Sequence, residues 1–362
     1  MLDIGWLLPI AGVFAGIIIG AAARWNRFCT LAALERHWYA GDSSGVRTWV
    51  LAATVAIIAT QAMSLGGLID LRGSFYLNPN FGWTGAILGG LAFGFGMALV
   101  GTCGFGALVR LGGGSLRSLV VLLVLGLSAL AAQRGLIAQA RVKVVDDLAL
   151  NLSFAGDQSL GSLASAVFGF DARLLTAVIV IGLLLAWVFA MADYRRRVGH
   201  IATAVIIGGA ISFGWLATTW GARHAFVPVQ IEAGSFVVPV GDTIIQFIAF
   251  TGVLPDYGVG LVVGVALGAA LVAWRKHDVR WEACDDAREL GRHIVGAFLM
   301  GTGGVFALGC TIGQGVTAAS TLAISAPLVM ICIALGARIG LSYMLEGSLW
   351  SAFRQPSEKP LE

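Results

Sequence analysis

The feature that most constrains this chain is the recurrence of apolar runs about 20 residues long, broken by short clusters of glycine and arginine. A run of that length matches the hydrocarbon thickness of a bilayer. Within lipid every backbone polar group needs an internal partner, so chains cross as helices or as closed barrels. The 362-residue chain is 58% hydrophobic and 12% charged, against about 25% charged in ordinary soluble domains. It reads as an all-α, polytopic integral membrane protein, a single transmembrane domain over residues 1–362 whose surroundings are the lipid bilayer. A net charge of +3 is too small to point to nucleic acid.

Nine spans are predicted, at about Ile4–Ala23, Val46–Leu68, Phe81–Gly101, Ser115–Ala132, Ala172–Ala192, Ile201–Thr219, Tyr257–Trp274, His293–Leu308 and Leu322–Leu345. Short helices are expected at Thr30–Tyr39 and Ile312–Thr321. Gln133–Asp171 reads as a long solvated or interfacial insertion, and the apolar run Thr243–Val253 inside Gly221–Asp256 is too brief to cross. Met1–Pro9 has no basic segment and no cleavage site follows, so the first span itself is expected to target the chain. If the N-terminus faces outward, inner segments hold sixteen of the 23 Lys and Arg and outer segments six, with Arg338 inside the last span. Positive charge gathers on the cytoplasmic side. The expected orientation therefore has a periplasmic N-terminus and a cytoplasmic tail at 346–362.

The stretch Phe81–Ala132 is the most informative. It holds a helix, a break at Gly101-Thr102-Cys103-Gly104, about two turns of helix, a Gly112-Gly113-Gly114 hinge and a second helix. Broken backbone at membrane depth is tolerated only where protein or a water-filled cavity receives the freed polar groups. The pattern recurs at a constant offset of 207 residues. Gly89, Gly94, Gly96, Cys103 and Gly106 meet Gly296, Gly301, Gly303, Cys310 and Gly313. Cysteine is rare here, so the cysteine match carries the weight. The first copy runs inward and the second outward, which describes a pseudo-two-fold inverted repeat with halves at about 1–192 and 193–345, a recurring plan for transporters. Cys29, after Arg27-Phe28, looks like a weaker third version, and no fourth cysteine matches near Gly208–Phe226.

Cys29, Cys103 and Cys310 each open a short helix, with Gly101, Thr102, Gly104 and Gly106 around the second and Gly309, Thr311 and Gly313 around the third. The first N–H groups of a helix lack internal partners and attract anions. An arginine there would grip an anion by a charge-assisted bond, whereas a thiol is a weak donor and acceptor. Successive weak sites suit conduction, and polarizable sulfur suits a soft, sulfur-bearing anion. Cys332, in mid-span, and Cys284, in a charged loop, read as ordinary residues. The five histidines have no metal-ligand spacing and no G-x-x-x-x-G-K-[ST] loop is present, so neither metal, cofactor nor direct ATP drive is expected.

The segments Gly101–Ser115 and Leu308–Gly315, with Arg27-Phe28-Cys29, resemble the signature segments of the YeeE/YedE-type sulfur transporters. The resemblance implies a bacterial inner-membrane protein, not an enzyme, that takes up thiosulfate. It further implies a central relay thiol at Cys103, flanking thiols at Cys29 and Cys310 that pass the anion by S–H hydrogen bonds, and a TusA-like sulfur carrier as a cytoplasmic partner. Rival readings are transport of another sulfur or selenium anion, a membrane thiol enzyme handling persulfides or disulfides, and a scaffold for sulfur transfer.

Overall fold

The computed structural model describes residues 4–225, 228–251 and 254–348. Most of the expected tail 346–362 lies outside them. The chain opens with α1 (Ile4–Trp25), α2 (Thr30–Ala40), α3 (Ser44–Leu65), α4 (Trp83–Val100), α5 (Gly104–Gly112) and α6 (Leu116–Arg134). A connecting region follows, with α7 (Leu136–Arg141), α8 (Leu160–Phe168), α9 (Arg173–Phe189) and α10 (Ala192–Arg195). The last group is α11 (Val198–His224), α12 (Val238–Ile248), α13 (Tyr257–Arg275), α14 (Ala287–Phe306) and α15 (Ser325–Glu346). Between α14 and α15, residues 311–320 are helical, with a π-type stretch at Gly313–Ala318. Extended structure among the described residues is slight. Asn80–Phe81 pairs antiparallel with Leu150–Asn151, fastening the inserted region to the loop before α4.

Seven described helices are long and apolar enough to cross a membrane. The expected fifth span is the shorter, 17-residue α9. The expected eighth begins six residues early, at Ala287, because Asp286 caps α14 by accepting the Glu289 N–H. Asp, Glu and Arg in its first turns dilute its hydropathy without weakening the helix. The short run in 221–256 forms α12, 11 residues that cannot span.

Glycine faces set the packing. Hydrophobicity does not drive helices together in lipid, so association rests on close backbone approach at small residues. Gly12, Gly16 and Gly20 of α1 lie against the carbonyls of Tyr257, Leu261 and Val265 in α13. In return Gly260, Gly264 and Gly268 lie against the carbonyls of Pro9, Val13 and Ile17. A side chain at any of the six would collide with backbone. Helices α4 and α14 meet in the same reciprocal way. Gly89 faces the Gly303 carbonyl and Gly303 the Gly89 carbonyl, while Gly96 and Gly296 exchange the same contact. Because 89 and 296 are one repeat pair and 96 and 303 another, each copy presents the same patch to the other, as across a two-fold axis.

The 207-residue spacing extends beyond the motif. Adding 207 to α5 gives 311–319, the helical segment before α15. Adding it to α2 gives 237–247, one residue from α12. Helices α7 to α10 stand between the two sets.

Candidate functional site: converging helix starts lined with thiols

Helices α2 and α5 each begin at a residue held in extended backbone. Cys103 (φ −82°, ψ 170°) precedes α5, and its sulfur accepts the Gly106 N–H at 3.3 Å. Cys310 repeats the arrangement by accepting the Gly313 N–H at 3.4 Å. In both, the sulfur's acceptor side is turned to the helix, which leaves the S–H free to donate elsewhere. Cys29 (φ −146°, ψ 132°) precedes α2 without such a bond. Gly101 ends α4 in the left-handed region (φ 77°), which turns the chain toward Cys103. Leu308, 207 residues later, takes the same region at φ 56° despite its side chain. A branched side chain there costs roughly 1–2 kcal/mol, borne by the surrounding packing.

The starts converge. Thr30 Oγ1 lies 4.0 Å from the Cys103 sulfur, and Thr102 Oγ1 lies 3.9 Å from the Cys29 sulfur, a crossed pair between α2 and α5. The Phe105 ring sits 5.0 Å from Phe236 and 6.5 Å from Phe28, while Phe28 stacks on Trp49 at 4.7 Å. Ser235, next to Phe236, in turn has its hydroxyl 3.2 Å from where a methyl group on Gly313 would stand, beside the Cys310 cap. Cys103 and Cys310 are buried, and Cys29 is partly exposed.

Two cavities flank this centre. One, of about 560 Å³, is lined by Cys29, Thr102 and Gly106 together with Arg24, Arg27, Arg36, Arg110, Lys276 and Arg280. Its two acids are engaged, Asp278 with Arg24 at 2.9 Å and Glu282 with Arg117 at 2.9 Å. Arg110 binds the Gly101 carbonyl at 3.1 Å, anchoring the break itself. The other cavity, of about 740 Å³, opens on the opposite face. It holds Arg72, Arg173 and Arg223 beside Asp70, Asp157 and Asp171, and reaches Thr321 next to segment 311–320. Those three carboxylates each accept a local backbone N–H, from Arg72, Ser159 and Arg173.

The ten residues singled out in the sequence thus occupy two equivalent breaks, plus the start of α2. Gly104 opens α5 close to the Phe236 carbonyl. Thr311 is buried, and its hydroxyl has no partner among the described residues. Cys332 of α15 packs on Gly90 of α4, and Cys284 lies beside His293 at 3.8 Å, both away from this centre. Arg338 sits over the Trp38 ring at 5.4 Å. Three features escaped the sequence reading: the Thr30 hydroxyl, Tyr76, and a fourth helix start at Ser235-Phe236-Val237. Phe236 stands 207 residues after Cys29, so the offset pointed to it. A search for a fourth cysteine near 208–226 could not find it.

A helical membrane protein with discontinuous helices meeting between two charge-lined cavities, one of them strongly basic, defines a polytopic membrane transporter. The chain belongs to the sulphur transport family, whose pattern matches residues 26–339. It is 25% identical over 336 residues to a thiosulfate transporter TsuA of Spirochaeta thermophila, covering 90% of this chain and 96% of that protein. It is 22% identical over 329 residues to the thiosulfate transporter TsuA of Escherichia coli, covering 84% and 86%.

Proposed function

We propose that this protein carries thiosulfate, or a closely related sulfur anion, inward across the bacterial inner membrane along Cys310, Cys103 and Cys29. The observation that carries the reading is the pair of capping bonds, Gly106 N–H to Cys103 and Gly313 N–H to Cys310. They present helix-start amides and free S–H groups to the same place. An anion there meets positive backbone potential and neutral, weakly donating thiols, which hold it without trapping it. The S–H of one thiol donates to the terminal sulfur of thiosulfate, and the next thiol takes over as the ion advances. The three arginines of one cavity collect the ion, and the richer basic cavity at Cys29 receives it.

The halves about 1–192 and 193–345 act as inverted copies around these breaks, with α7 to α10 as the connection between them. Sixteen Lys and Arg on one side support a cytoplasmic C-terminus, checked by reporter fusions at residue 362. A TusA-like carrier is the partner at the Cys29 face, checked by co-purification with the full chain. Transport is tested by growth of a sulfur auxotroph on thiosulfate as sole sulfur source. Cys103→Ala is expected to abolish growth while the protein still reaches the membrane. Unchanged growth of that variant removes the relay.

A further inference from the structure

Tyr76 sits in the short helical turn Phe75–Leu77 of the connection between α3 and α4, within a loop that composition alone describes as a surface turn. It is instead 1% exposed. Its ring lies 4.1 Å from Phe75 and meets Trp215 edge-on at 6.4 Å. The phenol oxygen makes no well-formed hydrogen bond among the described residues, and the Ser235 hydroxyl is its polar neighbour. A buried hydroxyl without a well-formed partner is destabilising, a cost that a binding role would explain.

What surrounds that oxygen indicates the role. A methyl group on Gly313 would stand 3.1 Å from the Tyr76 oxygen and 3.2 Å from the Ser235 hydroxyl. The phenol therefore faces the residue whose N–H caps Cys310. On its other side, Ser74, Phe75 and Leu77 line the cavity that holds Arg72 and Arg173. Tyr76 stands between the place where an anion gathers and the first buried sulfur.

We propose that Tyr76 is a specificity-determining residue of the transporter, its phenol O–H donating to an oxygen at the sulfonate end of the anion while Cys310 engages the terminal sulfur. This rests on the thiosulfate reading above and extends it. A phenol and a thiol side by side match an ion that carries oxygen at one end and bare sulfur at the other. Burial raises the phenol's pKa well above its ordinary value, so it remains a donor at any physiological pH. Gly313 fits the same account, since any side chain there would crowd the oxygen's approach.

The experiment uses the full chain in proteoliposomes with radiolabelled thiosulfate, measuring both binding and initial uptake. Tyr76→Phe keeps the ring and its contacts. It is expected to raise KM and the binding Kd about tenfold, the loss of one hydrogen bond to a charged group, with maximal rate within twofold of wild type. A purely structural role would instead lower melting temperature and maximal rate together and leave KM in place, which overturns the proposal. Replacing Tyr76 with 3,5-difluorotyrosine, a near-isosteric and stronger donor, is expected to lower KM, and an unchanged KM overturns the proposal even if Tyr76→Phe fails to fold. Uptake that requires Cys103 but ignores Tyr76→Phe refutes the phenol alone. Wild-type protein that neither binds nor carries thiosulfate refutes both readings.

Discussion

Gly106→Ala separates the contact between Thr102 and the Cys29 thiol from the stability of the fold. Gly106 lies in the first turn of α5, and its N–H is the donor to the Cys103 sulfur. A methyl group at this position would collide with Thr102 Oγ1 while standing 3.6 Å from the Cys103 sulfur, at ordinary contact distance. Relief comes from rotating the Thr102 hydroxyl, a single side-chain torsion, so the backbone and the thiol stay in place. That rotation removes Thr102 Oγ1 from the Cys29 sulfur, which it approaches at 3.9 Å. One weak hydrogen bond is worth about 1 kcal/mol, which corresponds to roughly a fivefold loss in uptake efficiency. Thr102→Ala removes the same group directly and is expected to cost the same. A double-mutant cycle on initial uptake rates in proteoliposomes is the assay. Residues acting through one contact are non-additive, so the double variant is expected to match either single variant, near fivefold, with unchanged melting temperature. Additive losses approaching 25-fold, or a Gly106→Ala protein as active as wild type, would refute the claim that Thr102 and Cys29 work as a pair.

Gly264→Val should act on the fold alone. Its side chain would drive into the Val13 carbonyl of α1, and overpacking of this kind costs about 1–3 kcal/mol, read as a lower melting temperature in detergent with KM for thiosulfate unchanged in the surviving protein. Asp42 reports on pH. Hydrogen bonds from Ser44 and the charge of Arg197, 3.6 Å away, hold its carboxyl below the usual aspartate range. A lowered folded pKa stabilises above the unfolded value near 3.9 and is lost as pH falls through the folded one. Asp42→Asn is therefore expected to lower the melting temperature slightly at neutral pH, with the difference vanishing in acid.

The spans were legible because each is a long apolar run, and the two principal breaks because glycine and cysteine interrupt such runs at a fixed offset. The start of α14 was misplaced for a physical reason. Its first turns, with Glu289 and Arg292, lie where charge is tolerated, and hydropathy reads charge as loop. The fourth helix start was not legible because it carries Ser235, Phe236 and Val237 in place of a cysteine. Val237 and Phe236 stand 207 residues after Thr30 and Cys29 with apolar side chains, so only the spacing could reveal them. Tyr76 was invisible for another reason. A tyrosine among Gly73, Ser74, Asn78 and Pro79 carries the composition of an exposed turn, and only the fold shows that the turn dips between helices to reach Gly313.

Phe236 deserves one more consequence. The scaffold is near-symmetric, so a lining with four identical stations would look alike to an ion arriving from either membrane face. With the Phe236 ring at the fourth helix start, Cys310 is the sulfur beside Gly313 and Tyr76, while Cys29 lines the Arg24 cavity and Cys103 lies near Thr30, the residue after Cys29. On the proposed route, that uneven lining would give the two directions of travel different chemistry.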